Sequence, residues 1–397
     1  MSYEIAATGL NAVNEQLDSI SNNIANAGTV GYKSMTTQFS AMYAGSQAMG
    51  VSVAGTAQSI SRSGSMVNTG NALDIAINNT GFFVMCDSTG NLSYTRAGAF
   101  LTDKDGYIVN TSGDYLQGYP VDSDGTLQTG TVTDLQIQTG NIPATATDSL
   151  IFTANFCAQD PAIDTAAIPF DATNVSSYNA SYTTTVYDSL GNEHSVSQYF
   201  TKTADNSWEV HYSFDGETQS TTTRLSFDTS GNLVSPTSPA PMEFTVDGAE
   251  PIDMTFDYSS CTQYGSAFAV TTNAASGNAS AGQNGVQVDD DGKVYATYSN
   301  GERMLQGQIV LATFPNENGL DPVSGTAWVQ TGESGTSLMG APGSGTFGTL
   351  STGMLEGSNV DITGELVSLM TAQRNYQADT KVIAASKELD QALFQAM

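Results

Sequence analysis

The chain has 397 residues, with 40 acidic side chains against 11 basic ones and a formal charge of −29. So acidic a surface cannot neutralise phosphates, which excludes nucleic acid and anionic membrane as partners. No run approaches the roughly 18 apolar residues of a membrane span, and the first residues lack the basic start and apolar core of a cleavable signal peptide.

The length predicts two or three domains. In residues 1–27, Ala6, Leu10, Val13, Leu17, Ile20 and Ile24 recur at alternating spacings of four and three. That spacing places them on one narrow helix stripe, an a/d seam, with Ser2 as N-cap and Gly28 as the stop. Residues 28–70 read as a linker.

Beyond residue 70 the pattern turns to period two, and 39 glycines among Thr/Ser/Asn-rich segments predict a mainly β body. DSTGN (87–91), DSLGN (188–192) and DTSGN (228–232) are turn signals. Asp105-Gly106, Asp124-Gly125, Asp215-Gly216 and Asp291-Gly292 are others, so successive hairpins are expected. Thr/Ala/Pro-rich residues 141–170 and Ser/Ala/Asn/Gly-rich residues 271–285 lie at the edges of an acidic middle, where 16 acids between residues 146 and 281 face only Lys202 and Arg224. Boundaries therefore fall near 146 and 281: a discontinuous inner β domain (71–145 and 281–357) carries an inserted outer β domain (146–280), the most solvent-facing part. Cys86, Cys157 and Cys261 are far apart and form no CxxC unit, and they read as buried free thiols.

In residues 358–397, Ser358 and Asp361 suggest a capping pair. Ile362, Leu366, Leu369 and Tyr376 start a second stripe, which resumes after a shift at Ile383, Leu389, Leu393 and Ala396. Two short seams at the two ends of a β-rich chain have each other, and their copies in neighbouring subunits, as natural partners.

The string SNNIANAGTVGYK (21–33) resembles the N-terminal signature of the flagellar rod and hook axial proteins. In it Asn22, Asn23 and Asn26 offer amides to a helix exit, while Gly28 and Gly31 permit positive φ. SNVDITGELVSLMTAQRNYQ (358–377), with Gln373 and Arg374, is similar to the matching C-terminal signature. TGNALDIAINNTGFF (69–83), residues 94–119 and LQGQIVLATF (305–314) resemble the family's inner β domain. TVYDSLGNEH (185–194) and DNSW (205–208) resemble the outer domain of its hook members. The resemblance implies a subunit exported without cleavage and displayed outside the cell. Its terminal helices would form the inner tube of a hollow, curved homopolymer that transmits torque while bending, with residues 28–70 as the joint between tube and wall. It also implies the distal rod, hook cap, hook–filament junction proteins and type III export apparatus as partners, with neither cofactor nor catalysis. A distal rod subunit, a secreted adhesive protein and an enzyme acting on surface polysaccharide are the competing readings.

Gly343, Gly345 and Gly348 match G-x-G-x-x-G, but no apolar strand precedes them and STGMLEG follows in place of an amphipathic helix. Asp103/Asp105, Asp122/Asp124 and Asp289/Asp291 precede glycines as calcium-loop residues do. The first loop position is nevertheless Leu101, Pro120 or Gln287, and the twelfth is never Glu. His194 and His211 are the only histidines, and nothing singles out one carboxylate pair. Arg96, Arg303 and Arg374 read as partners of acids, Trp208 and Trp328 as core.

Overall fold

The structure, a computed structural model, describes residues 2–44, 47–122 and 125–396. Strands dominate, and the α-helices α1 (Ser2–Ala25) and α2 (Ile362–Ala396) lie at the chain ends. The chain divides into two compact units: one of residues 1–139, 284–297 and 303–397, the other of Gly140–Gln283 with Tyr298–Glu302.

In the first unit, α1 starts at Ser2 itself and carries Glu4 in its first turn, where the helix dipole favours an acid. It ends at Ala25, before Gly28, as the Ala27 N–H turns to the Ile24 carbonyl at 3.3 Å. The left-handed residue of this exit is Gly31 (φ 72°) and not Gly28. A Cβ on Gly31 would stand 2.6 Å from the Ala97 backbone nitrogen, so close approach reinforces the need for glycine. The expected cap of α2 is also displaced. Asp361 caps the helix itself, accepting from the Thr363 N–H at 3.1 Å, while Ser358 accepts from the Val360 N–H at 3.3 Å. The side chain of Asn359 binds the neighbouring backbone and keeps residues 358–360 outside the helix. α2 runs unbroken for 35 residues, about ten turns where only a few were expected.

The segment read as a linker holds a long hairpin. β1 (Met35–Ala44) pairs antiparallel with β2 (Gln47–Gln58), from Met35↔Gln58 to Ala44↔Gln47. Strands Met66–Asn68 and Ile75–Asn78 pair with Met354–Glu356 and Thr349–Thr352, so the two ends of the chain are sewn together next to the helices. The main sheet runs Arg303–Ile309, Tyr115–Pro120, Phe82–Cys86, Leu92–Thr95, Ala327–Val329, Asp321–Val323. Phe82, Val84, Tyr94, Val310, Phe314 and Trp328 form its core, with Phe82 edge-on to both Phe314 and Trp328.

The second unit holds two five-stranded sheets whose inward residues form one continuous core. Strand Ser149–Cys157 buries Leu150, Phe152, Ala154 and Phe156 in strict alternation. Against it stands the meander Ala180–Tyr187, Glu193–Ala204, Ser207–Phe214, Glu217–Phe227, Leu233–Ser235. Not every pairing is a hairpin: Ser149–Cys157 lies parallel to both Ile252–Asp257 and Thr262–Tyr264. The unit's entry and exit are adjacent, with the Ile142 N–H on the Ala281 carbonyl at 2.9 Å and that of Thr145 on Asn278 at 3.0 Å.

Asp87, Asp188 and Asp228 build the same loop three times. Each accepts backbone N–H groups two and four residues on, and each is held by the amide of Asn91, Asn192 or Asn232 at 3.0, 2.9 and 3.2 Å. Gly90, Gly191 and Gly231 supply the left-handed residue (φ 89°, 84° and 87°). Of the cysteines only Cys261 is buried. Cys86 and Cys157, each the last residue of its strand, are half-buried, and all three are free.

Candidate assembly surface

The seam residues fall into three groups. Val13 and Ile20, with Leu17 and Ile24 beside them, pack against Leu369, Ala372 and Tyr376 of α2. Ala6 is buried but lies outside this cluster, and Leu10 and Ile383 are half-buried. Ile362, Leu366 and Leu389 face outward at 51%, 46% and 71% exposure, together with Val367, Met370 and Val382. The side chains of Leu393 and Ala396 lie outside the described residues. Ala372, which the stripe reading passed over, is the most buried of the described residues of α2, at 1% exposure; at its position a small side chain lets two helix backbones approach. Apolar side chains left open on more than one face of a long helix mark an interaction surface.

The other side of α1 is polar and meets the hairpin. The hydroxyls of Ser19 and Thr37 lie 2.8 Å apart. At the exit of α1 the three asparagines divide the work. Asn22 is exposed and lends its backbone carbonyl to the Asn26 amide at 3.0 Å. Asn23 is 1% exposed and acts like a strand neighbour of Met35, donating to its carbonyl at 2.7 Å and accepting its N–H at 2.8 Å. The same amide donates to Glu365 of α2 at 2.8 Å, and the Tyr32 hydroxyl donates to the Asn23 oxygen at 3.3 Å. Burial, and then the Glu365 charge, pushes the Tyr32 phenol upward. Gln373 and Arg374 are exposed on α2.

Next to this lies a fully buried ionic cluster. Glu356 takes Lys33 at 2.7 Å, Arg96 at 3.4 Å and the Gly64 N–H at 2.9 Å. Lys33 also donates to the Arg62 carbonyl at 2.8 Å; Arg96 donates to the Asn79 carbonyl at 2.9 Å and sits 5.1 Å above the Phe82 ring. Burial pulls both cations below their ordinary pKa values, and Glu356 opposes that pull. Asn359 completes the clamp: its oxygen accepts the Ser34 N–H at 2.7 Å, and its amide donates to the Ser59 and Arg62 carbonyls at 3.0 and 2.8 Å. The exit of α1 and the entry of α2 are thus locked to one β scaffold. Sequence reading missed Lys33, Glu356 and Asn359 as a group. Lys33 and Asn359 do stand inside the two signature strings, where a lysine in so acidic a chain is a signal.

The motifs set aside in the sequence have structural roles. Gly343, Gly345 and Gly348 form a loop closed by the Gly343 N–H on the Gly348 carbonyl at 2.9 Å. Asp103 accepts turn N–H groups from Asp105 and Tyr107, while Asp291 and Asp289 pair with Lys293 and Arg303 at 2.7 and 3.0 Å; Asp124 lies outside the described residues. His194 sits between Asp215 at 2.6 Å and Asp188 at 3.5 Å, one on each ring nitrogen. Trp208 and Trp328 are buried, their indole N–H groups on Gln263 and Gln58 at 3.1 and 2.7 Å. Among the described residues no group of three or more His, Cys, Asp or Glu side chains is placed to hold a metal ion, and no helix is long and apolar enough to cross a membrane.

Four family models match along the chain: the flagella basal body rod protein (4–33), the flagellar hook protein FlgE/F/G D1 domain (76–176), the flagellar basal body protein FlaE D2 domain (152–278) and the flagellar basal body rod FlgEFG protein C-terminal region (351–396). The flagellar hook protein FlgE of Escherichia coli is 38% identical over 98% of this chain and 98% of its own length. That of Rhizobium meliloti is 35% identical over 97% of this chain and 96% of its own length. The crystal structure of Helicobacter pylori flagellar hook protein FlgE2 shares the fold with a TM-score of 0.55 at 15% identity, covering 73% of this chain and all of that one. Terminal signatures, β body and full-length similarity agree, and the chain belongs to the flagellar hook protein family.

Proposed function

We propose that the chain is the structural subunit of the hook, assembling with its own copies into a curved hollow tube that transmits torque between rod and filament. The observation that carries this reading is similarity to hook proteins along 98% of the chain, its acidic middle included. A distal rod subunit would share the terminal motifs but lack the long insert.

In this reading α1 and α2 form a coiled-coil inner core, completed when the outward Ile362, Leu366 and Leu389 are covered by neighbouring copies. The boundaries near 146 and 281 set off an outer domain on the wall. Contacts there act at the largest radius, where a change of curvature slides subunits furthest, so they select among tube shapes while the apolar core supplies the assembly energy. The chain acts on no substrate. Its partners beyond itself are the distal rod, hook cap, junction proteins and type III export apparatus, and its place is outside the cell. Salt-induced assembly of the purified chain, imaged by electron microscopy, tests the reading: curved hollow tubes are expected, whereas straight rods or unassembled protein would overturn it.

A further inference from the structure

Within the second unit, residues 158–179 cross the meander sheet as a strap in which Ser177 is the one buried residue. Its ends are pinned. The buried Lys202 ammonium donates to the carbonyls of Ala158 and Asp160 at 2.7 and 2.9 Å, and the Ile163 N–H donates to the Lys202 carbonyl at 2.8 Å. At the far end Asn179 donates to the Pro161 carbonyl at 3.0 Å, and the Thr201 hydroxyl to the Ser177 carbonyl at 3.0 Å. The middle rests on Phe170, whose ring stacks on the His211 imidazole at 4.1 Å and 3° and meets Tyr199 at 5.3 Å. The Nε2 of His211 is buried without a hydrogen-bond partner.

We propose that the Phe170–His211 stack is a proton-operated latch: protonation of His211 frees the middle of the strap and uncovers the aromatic face around Tyr199. A neutral imidazole tolerates a buried nitrogen beneath a phenyl ring. An imidazolium does so only at a cost, because its Nε2–H has no acceptor there and the half-buried ring is partly shut off from water. Attraction between the cation and the Phe170 face offsets only part of that cost. The groups around the ring do not rescue it. On its own strand Glu209 is engaged by the Thr222 hydroxyl at 3.0 Å and stands opposite Arg224. The neighbouring strands place Tyr199 and Thr222 opposite His211, Lys202 is held by carbonyls, and the strap brings Asp171 next to Phe170. Burial pushes the imidazole below its ordinary value, with the Glu209 charge opposing. With the closed-state pKa depressed, the latch holds fully above pH 6.5 and weakens as pH falls toward that depressed value.

Because the chain has two histidines, proton NMR of the full-length protein resolves both titrations. His211 is expected to titrate below 6.5. Amide protection over 164–176, corrected for intrinsic exchange, should fall by up to about tenfold per pH unit between 6.5 and that midpoint. H211F keeps an aromatic stack without a proton site and should make protection independent of pH. F170A should return His211 towards 6.5 and leave the strap open at either pH. A His211 titration at or above 6.5, strap protection equal at pH 7.5 and 5.5, or the same pH dependence in H211F would overturn the latch.

Discussion

The second unit and the terminal helix pair treat apolar residues in opposite ways. In the former, Phe152, Phe156, Phe200, Trp208, Tyr212 and Phe256 are fully buried between two sheets, and strand alternation leaves the outside polar. In the latter, Val13, Ile20 and Ala372 are buried while Leu366, Val367, Met370 and Leu389 remain exposed on a 35-residue helix. One region closes its core within a single chain; the other leaves its core to be finished. Such a division lets the folded body stay soluble, with repulsion at −29 keeping subunits apart, while assembly is confined to a surface that becomes dry only between copies.

The sharpest way to break the comparison is Leu17→Asp. A carboxylate in the completed seam would lose several kcal/mol of hydration but stays wet in the half-open pair of a free chain. Polymer formation should therefore be abolished, read by sedimentation, while the main thermal transition is unchanged. Glu356→Gln probes the buried clamp beside the helix ends within the first unit. It strands Lys33 and Arg96 without their counter-charge and should cost about 3–5 kcal/mol in the first unit. Urea unfolding followed by Trp328 fluorescence would show it, and a loss under 1 kcal/mol would mean that water reaches the site. Trp208→Ala empties the second core, where the ring lies 5.1 Å from Phe156; a loss of about 3–5 kcal/mol is expected there, with assembly retained at temperatures where the unit stays folded.

The smallest effect concerns His194. Burial lowers its pKa, but hydrogen bonds to Asp215 and Asp188 outweigh burial and leave it raised; burial likewise works against the two carboxylates, whose partners hold both low, Asp188 at about 2. The histidine's contribution is complete below pH 6.5 and fades as pH rises through the raised value. That of the carboxylates is complete above about pH 4 and fades as pH falls through their depressed values. Asp215 is half exposed, so its pair with His194 is worth under about 1 kcal/mol. In H194N the transition of the second unit should lose this decline above pH 6.5, leaving the opposite pull of His211 below 6.5.

What the sequence made legible was local. The stripe from Ala6 to Ile24 needs only neighbours three and four apart, and the Asp-x-x-Gly-Asn loops carry their own hydrogen-bond code. The partner of Ser149–Cys157 was not legible, because alternation names the inward face and not the strand alongside. The continuity of α2 was hidden since its apolar residues serve more than one face, and a single stripe was sought. β1 and β2 went unread amid Gly, Ser and Ala. Least legible was the Lys33–Glu356 pair: it spans 323 positions, and no periodicity announces it.

The account turns on a seam left incomplete in the single chain, and amide hydrogen exchange of the full-length protein, as dilute monomer and as assembled polymer, measures that directly. Residues 2–25 and 362–396 should exchange fast in the monomer, where an inter-helix cluster of only three buried side chains, Val13, Ile20 and Ala372, cannot offset an ordering cost of about 1–2 kcal/mol per residue, and slow markedly in the polymer. The strands between Ser149 and Ala275 should be slow in both. Terminal helices already protected in the monomer, or still fast in the polymer, would contradict it.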